Sequence, residues 1–284
     1  MQNSFDKKTF TLNCKGNLLT IKKPIVMGIV NVTPDSFFEE SRINNKTDYL
    51  EKAAQMLADG ATIIDIGGQS TRPNATLIDE ETELKRVMPF IEKLIKKFPA
   101  TLFSIDTFYS KVAHEAVQTG ASIINDISGG AIDKKMWRTA ADLKVPYILM
   151  HSRGMPQNMQ QQTNYDNVTK EVFDFFVHKI NDLQQHKIHD VIIDVGFGFA
   201  KTIEQNFELL NQLENFQLLE KVMLIGLSRK SMIWKTLKIT ADESLNGTTI
   251  LNTIALQKGA KILRVHDVKE AIQAIQLNEM TNKN

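Results

Sequence analysis

Asp106, Asn125 and Asp194 each stand at the end of a short apolar run, in TLFSID, ASIIN and VIIDV. A carboxylate accepts two parallel N–H bonds, and an amide donates and accepts side by side. Together they suit the amino-pyrimidine edge of a planar heterocycle. A second set is cationic or can become so: Arg72 in STRP, Lys230 in SRKS, and Arg264 and His266 in RVH. Arginine grips phosphate oxygens in a fork, lysine binds them as a point charge, and backbone N–H groups at a helix start add donors. These residues point to a phosphate or diphosphate. Lys230 could donate to a ring carbonyl or nitrogen while pairing with Asp194. The stretch DIGGQSTRP (65–73) adds a question, because a plain turn needs far less than two glycines followed by Thr71 and Arg72. Such a loop is either a surface connection or a holder of something charged.

Elements that could bring these residues together recur along the chain. TFTLNCKGNLLTI (9–21) reads as a β-hairpin around a Lys-Gly-Asn turn. Eight apolar runs follow: 25–30, 61–66, 101–105, 121–125, 146–150, 191–195, 222–226 and 261–265. Helical patterns separate them, among them 47–59, 79–97, 108–119 and 132–143, and 267–276 closes the series. Strands apolar on both faces between crossover helices form a parallel sheet. Eight units in this length predict a (β/α)8 TIM barrel with an N-terminal β-hairpin, a doubly wound open sheet being the other solution. The whole chain, 1–284, then reads as one domain, with a hairpin cap at about 9–21 and a barrel over about 24–277.

A barrel gathers the residues that follow its strands on one rim, where barrel enzymes place their sites, often with phosphate beside the last two loops. Here those loops read SRKS and RVH. Loops favour Asn, Asp, Ser and Gly in any case, but that preference does not explain basic residues after strands two, five, seven and eight. Taken alone, Arg229 and Lys230 could simply start a solvated helix, and Asp35 and Asp126 read as helix N-caps. GFGFAK (196–201) fits neither a phosphate loop nor a dinucleotide fingerprint and reads as a turn packing an aromatic against a flat ligand.

Composition excludes several classes. The chain has 284 residues, and Lys and Arg total 34 against 33 Asp and Glu, so no broad cationic field invites nucleic acid or an anionic membrane. The lone Cys14 forbids an internal disulfide and reads as an inert structural thiol. MQNSFDKKTF has no apolar leader, and no run approaches the ~20 residues of a membrane span, so the expected location is cytoplasmic. His186 and His189 read as surface residues, His114 and His178 as packing or surface residues, and no structural zinc spacing occurs.

MGIVNVTPDSF (27–37), DIGGQSTRP (65–73), SIDT (104–107), NDISGG (125–130), MHSRG (150–154), DVGFGFAK (194–201), GLSRKS (226–231) and RVHDV (264–268) resemble the dihydropteroate synthases, a pterin-binding family. The likeness runs in register through all eight strand ends. It implies condensation of 6-hydroxymethyl-7,8-dihydropterin diphosphate with p-aminobenzoate, for which sulfonamides compete. By the matching motifs, Asn31 would ligate a Mg²⁺ that carries the diphosphate, and Arg264 and His266 would bind diphosphate oxygens. Asp106, Asn125, Asp194 and Lys230 would hold the pterin, with Met150 and Phe199 packed near it. Thr71 and Arg72 would close over the substrates on a loop freed by Gly67 and Gly68. Ser228 and the helix start behind it would meet the aminobenzoate carboxylate. The resemblance also implies a homodimer through barrel helices.

Some positions depart from the family pattern. Val195 and Ala200 replace the usual Pro and Gly around the sixth-strand motif, Gln69 stands where Glu is frequent, and Asn74 where Gly is frequent. These predict changes in loop shape more than in reaction. The rivals are a related methyltransferase moving a methyl from a folate to a corrinoid, which needs no diphosphate grip, and a pterin-binding barrel without catalysis.

Overall fold

A computed structural model describes residues 8–32, 48–69, 77–155 and 157–281. Thr71 and Arg72, and the segment from Thr33 that includes Asp35, lie outside the described residues.

The chain opens with a hairpin, β1 (Phe10–Cys14) against β2 (Asn17–Ile21), antiparallel, with Lys15 and Gly16 at the turn. Eight parallel strands follow: β3 (Ile25–Asn31), β4 (Ile63–Gly67), β5 (Leu102–Asp106), β6 (Ile123–Asp126), β7 (Tyr147–Met150), β8 (Val191–Asp194), β9 (Val222–Ile225) and β10 (Ile262–Val265). Each pairs with the next, and β10 pairs with both β9 and β3, so the sheet closes into a barrel. The open-sheet alternative is thereby excluded. Helices α1 (Asp48–Ala58), α2 (Glu80–Lys97), α3 (Ser110–Thr119), α4 (Met136–Leu143), α5 (Val168–Gln185), α6 (Ile203–Asn211), α7 (Ser231–Leu237), α8 (Leu245–Gln257) and α9 (Val268–Thr281) intervene or follow. Their starts use ordinary chemistry: Asp79 accepts the Thr82 N–H at 2.7 Å, and Thr202 and Gln205 form a reciprocal capping box.

Strand periodicity sorts the residues into two environments. Side chains that point outward, such as Val26, Ile64, Phe103, Ile124, Leu149, Ile193 and Leu263, pack under the helices in one large apolar cluster. The first inward residues, Met27, Ile63, Ile123, Ile148, Ile192, Leu224 and Ile262, form a separate cluster with Leu12, Cys14 and Ile21 of the hairpin. The hairpin therefore plugs the N-terminal end of the barrel, as its cap role predicts. Cys14 lies fully buried there, and burial pushes its thiol up to about 12, which makes it inert as expected. Two residues further along the strands the inward positions turn polar: Asp65, Ser104, Asn125, Asp194 and Arg264. Fold and site are thus layers of one interior, apolar below and ionisable above.

Candidate active site

Arg264, one inward step beyond Ile262 on β10, organises this polar layer. Its Nε and one Nη each lie 2.7 Å from Asp65 Oδ2, and the same Nη donates to Asp106 Oδ2 at 2.6 Å. Asn125 Nδ2 donates to the same Asp65 oxygen at 3.0 Å. The Asp65 carboxylate therefore ties β4 to β6 and β10, and Arg264 extends the tie to β5 through Asp106. Asp65 is fully buried, and its Oδ1 accepts no hydrogen bond. Burial pushes Asp106 up to about 7, with Asp65 and Asp126 adding to the effect and Arg264 opposing it. The Arg264 guanidinium is held as a cation well above its ordinary range, its two carboxylate partners outweighing its burial.

Asp194, at the end of β8, is also buried and also shifted upward by burial, although Gly196 donates its N–H to Oδ1 at 2.8 Å. Lys230 stands nearby with its Nζ over the Phe199 ring, 4.4 Å from the centroid, a cation–π placement. Burial brings Lys230 down to about 8, and Asp194 and Asp106 resist that fall. The charges of Lys230 and Asp194 interact, yet no hydrogen bond joins the two, so the direct pairing expected from the sequence is not formed. Phe199 and Met150 share a buried cluster with Phe108, Ile127 and Met159, an apolar wall beside the polar layer.

Ser228 and His266 form a third part. Ser228 Oγ accepts the His266 backbone N–H at 3.2 Å and lies 3.0 Å from its Nδ1. With one lone pair committed to that amide, the hydroxyl proton can go to Nδ1, leaving Nε2–H as an outward donor. His266 is no cation: burial, then Arg264 and Lys52, bring it down to about 3. In the unliganded site it offers an anion a neutral N–H donor. Arg229 belongs elsewhere, because it grips Asp267 with Nε and Nη2 at 3.1 and 2.8 Å and reaches Asp242 at 3.2 Å. The solvated-helix reading is thus right in part for Arg229 and wrong for the half-buried Lys230, which lies over Phe199.

Two further expectations need correction. Asp126 caps no helix: it is fully buried, accepts N–H bonds from Ser128 and Gly130 at 2.8 Å each, and takes the Tyr147 hydroxyl at 2.6 Å. It shapes the SGG turn. Gly67 and Gly68 do not serve as a swivel. Gly67 is paired within the barrel, and a Cβ on Gly68 would overlap Val87 Cγ1 of α2. Close packing excludes a side chain there. Arg86 further holds the Gly68 carbonyl at 2.8 Å, and Gln69 brackets Ile78 with both amide atoms.

Asn31 ends β3 with its side chain exposed, and Gly67 leaves its amide oxygen uncovered, since even a Cβ at Gly67 would come 3.4 Å from Oδ1. Among the described residues no three His, Cys, Asp or Glu side chains form a metal cage. Mg²⁺ commonly binds through one or two protein oxygens plus substrate phosphates and waters, so a single uncovered amide oxygen fits it. Asp65 is the main residue absent from the predicted set. Its signal was its place two residues after Ile63 in a strand, which turns it inward.

A layer of buried carboxylates and cations at the mouth of a closed barrel defines the site of a barrel enzyme, and the pterin-binding enzyme family matches residues 27–266. The chain belongs to that family, among its dihydropteroate synthases, the transferases of folate biosynthesis. Dihydropteroate synthase of Escherichia coli K12 is 40% identical over 276 residues, covering 95% of this chain and 96% of the relative. The Yersinia pestis dihydropteroate synthase, solved in a sulfonamide drug complex, has a TM-score of 0.90 and 39% identity, over 96% of this chain and 99% of that one. The Xanthomonas albilineans enzyme with 4-aminobenzoic acid has a TM-score of 0.90 and 36% identity, over 98% and 100%.

Proposed function

We propose that this dihydropteroate synthase holds the pterin ring of 6-hydroxymethyl-7,8-dihydropterin diphosphate with Asp106, Asn125, Asp194 and Lys230, against Met150 and Phe199. The observation that carries this reading is the buried network of Asp65, Asn125, Asp106 and Arg264 at four strand ends, beside Asp194 and Lys230. The Asp106 and Asp194 carboxyls, both shifted upward by burial, match the amino and ring N–H groups of a pterin. Arg264 and His266 sit toward the leaving diphosphate, and Ser228 and the start of α7 toward the p-aminobenzoate carboxylate. Thr71 and Arg72, from outside the described residues, complete the assignment. Asn31 offers its amide oxygen to Mg²⁺, which when bound would neutralise diphosphate charge.

The chemistry needs no protein nucleophile. The C–O bond to the diphosphate breaks with its electron pair on the departing oxygen, the arylamine lone pair forms the new C–N bond, and one amine proton is released. The protein's part is to stabilise the leaving charge with Arg264 and the neutral His266 donor, and to orient the ring. A methyl transfer to a corrinoid would have no use for that anion grip.

The reading extends to one domain, since hairpin and barrel share a core cluster, and to a cytoplasmic homodimer. Among the described residues no helix is long and apolar enough to cross a membrane. Leu237 of α7 and Ile250 of α8 are 53% and 51% exposed on neighbouring helices, in keeping with an interface. Purified protein given both substrates and Mg²⁺ is expected to release diphosphate in step with 7,8-dihydropteroate. No release, with both substrates shown to bind, would refute the proposal in favour of a barrel without catalysis.

A further inference from the structure

The turn after β8 holds a conformation that its own sequence resists. Gly196, Gly198 and Ala200 have φ of 69°, 81° and 49°, and for alanine the left-handed region costs about 1–2 kcal/mol. A Cβ on Gly196 would collide with the His151 carbonyl, so the turn lies directly on the end of β7. Such strain persists only where surrounding contacts over-determine it. Lys201 supplies them. Its Nζ lies 3.1 Å from His151 Nδ1, 3.0 Å from the Gly196 carbonyl and 3.0 Å from the Phe199 carbonyl, and the residue is 3% exposed. Burial brings Lys201 down to about 7, and in its ammonium form it has three N–H donors, which these three partners use. His151 can accept because burial first, then the charges of Lys201 and Arg153, keep its ring neutral. Lys201 therefore has no donor left for a substrate.

We propose that Lys201 is a positioning residue for the pterin subsite, fixing the 196–200 turn by binding two of its carbonyls and the His151 ring. The turn carries the Gly196 N–H that holds Asp194 Oδ1 at 2.8 Å and the Phe199 ring beneath the Lys230 ammonium. Gly198 brings its backbone close to the same lysine, since a Cβ there would lie 3.2 Å from Lys230 Cδ. Its N–H is fastened in turn to Asn206 of α6 at 2.7 Å. Without Lys201, the buried Phe199 carbonyl loses its donor, the Gly196 carbonyl keeps only the Phe199 N–H at 3.1 Å, and the strained turn can relax, shifting Asp194 and Phe199 together. The anion part of the site, built from Ser228, Arg264 and His266, is held by hydrogen bonds of its own to Asp65, Asp106 and one another, none of them from this turn. The inference rests on the pterin reading given above.

The test is Lys201→Met, which keeps most of the side-chain volume and removes the donors. Calorimetry with 6-hydroxymethylpterin, and separately with inorganic diphosphate plus Mg²⁺, reads the two subsites apart. Pterin binding is expected to weaken at least tenfold while diphosphate binding stays within twofold. In turnover, KM for the pterin diphosphate should rise by more than kcat falls. Unchanged pterin affinity, or a parallel loss of both ligands, overturns the inference. Should Lys201→Met fail to fold, His151→Asn leaves Lys201 and its two carbonyls in place. It is expected to lose at least threefold in pterin affinity alone, and no change there overturns the inference equally. Wild-type protein that bound no pterin would instead refute the functional reading on which this one rests.

Discussion

Arg264 and Asp65 are 199 residues apart in the chain, yet Nε and Nη2 of the arginine both lie 2.7 Å from a single Asp65 oxygen. The pair joins the last barrel strand to the second across the polar layer, with Asp65 wholly buried and Arg264 largely so. Breaking a buried ion pair by removing one partner costs several kcal/mol, and here Asp106 continues to compensate Arg264. Asp65→Asn should therefore destabilise the protein by about 2–4 kcal/mol in urea unfolding. The freed guanidinium should also misplace Asn125 and Asp106, so KM for the pterin diphosphate should rise at least tenfold. Steady-state kinetics on the folded variant checks the second effect independently of the first.

Lys230 makes pterin binding pH-dependent. Burial lowers it to about 8, so the ammonium is present below that pH and is lost above it. Pterin affinity measured by calorimetry should accordingly fall as pH rises from 8 to 10. Lys230→Met should bind pterin about 10–100-fold more weakly at pH 7, the loss expected for a hydrogen bond from a charged donor, and its affinity should lack the alkaline fall. An identical pH profile in the two proteins would contradict the assignment.

Glu83 on α2 gives a stability signature of opposite origin. The residue is fully buried, and burial pushes it from 4.5 up to about 8, with the nearby Thr107 side chain opposing the rise. A carboxyl with a raised folded pKa contributes stability that is full below its unfolded pKa and is lost as pH rises through the folded one. The window is therefore about pH 4.5 to 8. Glu83→Gln cannot ionise, so its thermal midpoint relative to wild type should climb steadily from pH 5 to pH 9. A constant offset across that range would show that Glu83 ionises normally.

Gly68 packs so closely on α2 that a methyl group cannot be added without displacing Val87. Gly68→Ala should destabilise by about 1–3 kcal/mol, the usual cost of overpacking. Val87→Ala creates a cavity on its own, but in the double variant the two changes should compensate in part. A coupling energy near zero in that cycle would place the strain elsewhere.

The architecture was legible because parallel strands buried on both faces leave long apolar runs, and almost every strand end advertised itself with a polar or ionisable residue. Asp106, Asn125, Asp194, Lys230, Arg264 and His266 could be singled out for that reason alone. What those residues do to one another was not legible. The neutrality of His266 comes from burial, from Arg264 two residues before it, and from Lys52 of α1, whose approach only the fold reveals. Asp126 looks like a cap in one dimension and is a buried acceptor for Tyr147 in three. Gly67 and Gly68 read as freedom because sequence shows glycine without showing the helix pressed against it. Lys201 was visible beside its Gly-Phe repeat, but its three acceptors come from backbone and from a histidine 50 residues away.

The hairpin that seals the base of the cylinder with Leu12, Cys14 and Ile21 makes the interior a cul-de-sac. Substrates and products must share one doorway, so whichever molecule occupies the deepest berth has to arrive first and depart last. With the pterin in the deeper berth, as proposed above, sequential kinetics with pterin diphosphate leading and inhibition by retained dihydropteroate are expected in steady-state product-inhibition measurements.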